Sequence, residues 1–209
     1  MSVVMSPPVP DVARRILRLQ VFTMIWMSVE AAISLGAAWV AHSPALLAFG
    51  GDSAIEVLSA AVVFWRFRSK SNPSRTEERA ARIAGGLLIA LAVSVGLAST
   101  LALLGYREPR PSLVGIALLV VAGTLMPWLA SQKRRLAAVT LSASLKADAV
   151  ESALCGYLAW IALAGLAVNA IWGKSWADPV AALALTPLIL REGWEAIRAS
   201  RLGHQRSPC

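Results

Sequence analysis

Residues 45–65 read ALLAFGGDSAIEVLSAAVVFW. The run has the length and greasiness of a bilayer span, which needs about 20 mostly apolar residues. Its interior nevertheless carries Asp52 and Glu56. A charge at the bilayer centre costs at least ~2.5–3.5 kcal/mol on insertion scales, so an acid kept there marks a functional site by default. A spacing of four puts both side chains on one helix face, about 40° apart. Two carboxylates so placed can share one cation.

Composition points the same way. The chain has 209 residues, 57% of them hydrophobic and 15% charged, with mean hydropathy +0.63. A soluble domain usually has about 25% charged residues, so the deficit indicates an integral membrane protein. The net charge of +8 and pI near 10.5 suit a nucleic-acid binder. Here, however, the bases fall in short clusters between apolar runs, as topology signals do, and no nucleic-acid partner is expected. Cys155 and Cys209 do not make a disulfide framework.

Six spans are read, near residues 18–41, 45–65, 81–105, 112–131, 138–169 and 177–194. They are joined by a turn at 42–44, a polar loop at 66–80, a turn at 107–111, a connection at 132–135 and the stretch 173–176. With the N-terminus inside, sixteen Lys and Arg residues fall on the inner side and three (Arg107, Arg110, Lys174) outside; Lys146 lies within the fifth span. That asymmetry places both termini in the cytoplasm. Trp39, Trp172 and Trp176 near the outer ends, and Trp65, Trp128 and Trp194 near the inner ends, fit the interfacial preference of indole. Arg14, Arg15 and Arg18 before an apolar run resemble a signal peptide. The run 19–41 exceeds the ~7–15 residues of such a segment and contains Glu30, so it reads as an uncleaved first span.

The expected fold is therefore an all-α membrane protein, a bundle of six transmembrane helices with cytoplasmic termini. Residues 1–14 form a disordered tail, 15–198 the bundle and 199–209 a short cytoplasmic tail. Bundle sites are built from inward residues on facing helices. The fifth span supplies Asp148, Glu151 and Cys155, within about 60° on one face. Its depth for Glu151 and Cys155 matches that of Asp52 and Glu56. The candidate metal ligands are Asp52, Glu56, Glu151 and Cys155. Asp148 and Glu30 are second candidates, as ligands or proton relays. Plainer readings stand beside these. Buried cysteine often serves only as a small hydrophobe, and Lys146 or the inner surface can neutralise Asp148. Lys146 itself snorkels inward, His42 is solvated in the outer turn, and Asp178, followed by Pro179, reads as a helix cap rather than a ligand.

Carboxylates and a thiolate neutralise a divalent cation and replace its water, and tetrahedral coordination by oxygen and sulfur suits zinc and its neighbours. An emptied site of clustered acids takes up protons, which metal then expels, so cation and proton exchange are linked.

The motifs resemble those of the cation diffusion facilitator family of divalent-metal transporters, whose signature is one turn-spaced ligand pair in span two and another in span five. Ser43-Pro44-Ala45-Leu46-Leu47-Ala48, followed by Asp52-Ser53-Ala54-Ile55-Glu56, is similar to its first motif. Ala147-Asp148-Ala149-Val150-Glu151 with Cys155 falls on its second, with Glu151 and Cys155 standing where the family has histidine and aspartate. Trp176-Ala177-Asp178-Pro179 resembles the start of its last span. The resemblance implies a secondary active transporter that exports a divalent cation against protons, works as a homodimer and needs no prosthetic group. Zinc is the default ion, while the altered second pair leaves cadmium, iron, cobalt or manganese open. The cytoplasmic metal-sensing domain usual after span six is missing, so the chain resembles a short branch whose dimer is held by membrane contacts. Two rival classes are a non-transporting metal-binding regulator and a metal-dependent membrane enzyme. No Gly-x-Gly-Asp or His-Glu-x-x-His motif supports the enzyme.

Overall fold

A computed structural model describes the backbone of residues 10–68, 73–140 and 143–204, and the side chains of residues 12, 14–58, 82–140, 145–146 and 148–198. The described residues form six helices: α1 (Pro10–Ala41), α2 (Pro44–Arg68), α3 (Pro73–Leu103), α4 (Leu113–Thr140), α5 (Ala143–Trp172) and α6 (Ala177–His204). Among the described residues, Arg14–Ala41, Arg82–Leu103, Leu113–Thr140 and Asp148–Trp172 are long and apolar enough to cross a membrane. Helix α2 carries Asp52 and Glu56 in its interior, and α6 carries Asp178, Arg191, Glu192 and Glu195.

Three turns gather at one end of the bundle. The Arg110 amide donates to the Ala41 carbonyl at 2.8 Å, and the Asn169 amide side chain donates to the Pro109 carbonyl at 3.0 Å. The Ala45 amide donates to Asp178 Oδ1 at 3.1 Å. The α1–α2, α3–α4 and α5–α6 connections are thereby tied together, so successive helices run in opposite directions. Leu46, Phe49, Leu119, Met126, Leu129, Leu166, Leu185 and Ile189 fill the interior. The outer faces are also apolar, with Ile83, Val93, Leu97, Val114 and Ile171 exposed. An apolar exterior around an apolar core is what a lipid solvent requires.

The start of α2 is over-determined. Ser43 is its N-cap: the hydroxyl accepts from the Leu46 amide at 3.1 Å, and Pro44 occupies the first helical position, where its missing N–H is no loss. The same hydroxyl donates to the buried carboxylate of Asp178, whose other oxygen takes the Ala45 amide. Asp178 is thus a cap, as its sequence context suggests, but for α2 rather than its own helix. Because α6 already begins at Ala177, Asp178 sits inside the first turn and its side chain is free to reach across the bundle.

Helices α4 and α5 lock through a proline. Pro127 lies inside α4 and cannot donate to the Gly123 carbonyl four residues back. The Trp160 indole supplies the missing hydrogen bond from α5 at 2.9 Å. Gly156 admits the Pro127 ring, whose Cδ would stand 2.8 Å from an added Cβ. Helices α3 and α6 meet backbone to backbone: a Cβ on Gly85 would lie 2.6 Å from the Gly193 carbonyl oxygen.

Several boundaries differ from the sequence reading: α1 already begins at Pro10, inside the tail expected to be disordered at 1–14, and α6 runs to His204, past the expected end of the bundle at 198, because polar turns of helix continue beyond the apolar run. Helix α3 begins at Pro73, inside the expected loop 66–80, and α4 runs to Thr140 through the expected connection at 132–135. Hydropathy falls where lipid ends, whereas a helix can continue into water or into a polar contact between helices. Lys133, counted with the inner surface charges, lies inside α4 and is fully buried.

Two outcomes follow for the detergent-solubilised protein. Gly85→Ala must displace α3 from α6 and lower the melting temperature, whereas Gly86→Ala, with nothing within 4 Å of its added Cβ, should be neutral or slightly stabilising. Asp178→Ala strands the Ser43 hydroxyl and the Ala45 amide. It should cost about 1–3 kcal/mol, with Asp178→Asn recovering part of the loss, read by thermal unfolding.

Candidate functional site

One polar contact in the apolar core lies between α1, α2 and α5. Gly50 brings α1 against α2, since a Cβ there would run into the Ser34 side chain. One turn away along α1 stands Glu30, fully buried. Its Oε1 is 3.1 Å from the Ser53 hydroxyl of α2 and 3.6 Å from the Cys155 thiol of α5. Its second oxygen, Oε2, has no partner, and the nearby Trp26 indole N–H has none either. A single carboxyl oxygen therefore joins three helices, and the other points into the interior unsatisfied.

Asp52 follows Gly51, where a Cβ would meet the Leu91 side chain of α3. The side chain is 1% exposed, and its Oδ1 also lacks a partner. Glu192 on α6 lies within electrostatic reach of Asp52. Glu56, one turn along α2, is half-buried and lies within electrostatic reach of Asp52, Glu30, Glu192 and Glu151. Cys155 is buried, with Glu30, Glu56 and Asp52 as its charged neighbours.

The structure thus draws Asp52, Glu56 and Cys155 toward one region and adds Glu30 to them. Glu151 stands at its rim: it is exposed, although its charge still reaches Glu56 and Glu192. Asp148 stands apart from the cluster. Its Oδ1 accepts from Lys133 Nζ at 2.8 Å and its Oδ2 from Gln20 Nε2 at 2.7 Å. Lys133 also donates to the Ser152 hydroxyl at 2.9 Å. Both Asp148 oxygens are engaged, so this carboxylate joins α1, α4 and α5, and its neutralising base is Lys133 rather than Lys146. Among the described residues, no three His, Cys, Asp or Glu side chains are gathered closely enough to hold a metal ion as they stand.

Glu192 and Lys133 are the residues that sequence reasoning missed. Glu192 falls inside the span read at 177–194, so its position alone marked it as a membrane acid. It lies between Arg191 and the interfacial Trp194, and so passed for part of the inner boundary. Lys133 sits beside Arg134 and Arg135, and only the register of α4 separates its buried side chain from their exposed ones.

Four acids and a thiol from α1, α2, α5 and α6, with two buried oxygens unpartnered, form a region that can attract a cation and exclude an anion. Comparison with known proteins supplies the family context. The family model for the cation efflux transmembrane domain matches residues 21–202, nearly the whole of the 209-residue chain. No curated protein matches the chain. With six helices, an apolar exterior and a match that spans α1 to α6, the chain belongs to the cation efflux transmembrane-domain family.

Proposed function

We propose that this multi-pass membrane transporter of the cation efflux family exports a divalent cation, zinc foremost, in exchange for protons. One observation carries the reading: two acids, Glu30 and Asp52, are buried in an apolar interior with a free oxygen each. Buried charge is expensive unless paired or bound to a metal. The ion pairs seen among described residues, Lys133–Asp148 and Arg191–Glu195, involve neither acid. A divalent cation is the partner that would satisfy them.

In this reading Asp52, Glu56, Glu151 and Cys155 are the ligands. They come from α2 and α5 and are not yet gathered into a cage, so loading requires the two helices to move relative to each other. Glu151, at the exposed rim, would swing inward as the ion arrives. Cys155 would favour zinc or cadmium over harder ions, because thiolate is a soft ligand. Ion arrival displaces protons from the acids, and departure lets them return, which couples the two flows. Asp148, held by Lys133 and Gln20, would keep the inner parts of α1, α4 and α5 together while α2 moves. Glu30 would hold α1 to the site through Ser53 and serve as a relay.

The test is flux in proteoliposomes under an imposed pH gradient, with zinc, cadmium, cobalt, manganese and ferrous iron compared. Zinc uptake should collapse the gradient, and Asp52→Ala should lower the flux by more than about tenfold with the protein still folded. Undiminished zinc transport by Asp52→Ala defeats the assignment.

A further inference from the structure

The first turns of α1 and the last turns of α4 leave a partly open cavity between them, of about 220 Å³, lined by Arg15, Leu19, Trp128, Gln132 and Leu136. We propose that this cavity holds the phosphate headgroup of an anionic phospholipid, whose acyl chains lie along the apolar faces of the same two helices. The site is separate from the acids of the core and does not depend on which ion they take.

The chemistry of the lining is the first argument. Residues 15 and 19 stand one turn apart on α1, and residues 128, 132 and 136 one turn apart on α4, so each helix offers a single face. Leu19 packs against the cluster of Leu136, Ala137 and Leu145, which joins the helices at the cavity. The polar groups of the lining are the Arg15 guanidinium, the Trp128 indole N–H and the Gln132 amide, and no acid lines the cavity. Guanidinium and indole only donate hydrogen bonds. None of these three side chains has a hydrogen-bond or ion-pair partner among the described residues. Donors without an acid call for an anion, and the guanidinium fork matches phosphate oxygens.

Placement is the second. The cavity stands at the end of the bundle away from the three gathered turns, where Arg14, Arg18, Arg134 and Arg135 are exposed. Basic pockets between helices at a cytoplasmic membrane surface are where anionic headgroups bind. Trp128 is exposed, and indole favours headgroup level. Phe22 and Val121 lie seven residues from Arg15 and Trp128 toward the middle of the bundle, two turns along the same faces, and both are exposed. Donors at the surface thus lead into apolar helix faces, an arrangement of head above tail. A free phosphate would leave that apolar extension uncovered, whereas a phospholipid covers it.

The experiment is native mass spectrometry of the purified full chain in neutral detergent, with equal amounts of phosphatidylglycerol or phosphatidylcholine added. One phosphatidylglycerol per chain should stay bound in preference to phosphatidylcholine. Arg15→Gln should weaken that retention about fivefold, the worth of one basic side chain at an anionic surface. Gln132→Glu, which puts a negative charge into the cavity, should weaken it further. Arg14→Gln removes the same charge outside the cavity and should leave retention unchanged. Equal weakening by Arg14→Gln and Arg15→Gln means diffuse attraction and overturns the inference, as does equal retention of phosphatidylcholine. Inorganic phosphate competing as well as the lipid would assign the cavity to a free anion. A dimer that dissociates in Arg15→Gln, with lipid retention unchanged, would assign it to a second copy of the chain. Either result also overturns the inference.

Discussion

A carboxylic acid placed in hydrocarbon must share its charge with something, and the described residues of this bundle leave two buried acid oxygens without a partner. Glu30 shares one oxygen with Ser53 and Cys155 and leaves the other bare. Asp52 is buried and leaves its Oδ1 bare. The buried base among the described residues, Lys133, is spent on Asp148 and Ser152. The acids thus divide into one that is structurally satisfied and a group that is not. That division, more than the number of acids, distinguishes a staple from a site for a mobile cation.

The scaffold explains how such a group is held. Small residues bring backbones together where the acids stand: Gly50 against Ser34 near Glu30, Gly51 against Leu91 beside Asp52, and Gly85 against Gly193 beside Glu192. Membrane helices lack a hydrophobic drive between them and rely on close packing of this kind. At the far end, Asp178 caps α2 from α6, so the two helices that carry Asp52 and Glu192 are joined at their starts.

Much of this was legible in the chain. Six hydropathic runs gave six helices, and Asp52 and Glu56 announced themselves because nothing else in residues 45–65 is charged. The acid of span one was visible for the same reason, and its contact with Cys155 brings the first and fifth helices to one point. Other features were not legible. Whether Glu151 faces the core or the rim depends on a rotation of α5 that an offset of three residues from Asp148 cannot define. Lys133 is invisible among its arginine neighbours until the register of α4 is known. Glu192 was obscured by position, since an acid next to Arg191 and two residues before Trp194 looks like a boundary. Helix ends were misjudged wherever polar turns of helix continue beyond the apolar run, as at Pro73 and Thr140.

The most direct measurement is a zinc-edge anomalous difference map from crystals of the full chain grown with zinc. The account predicts a peak in the interior between α2 and its neighbours, within bonding distance of Asp52. A zinc peak found only at surface residues, with Asp52 and Glu56 untouched, would contradict it.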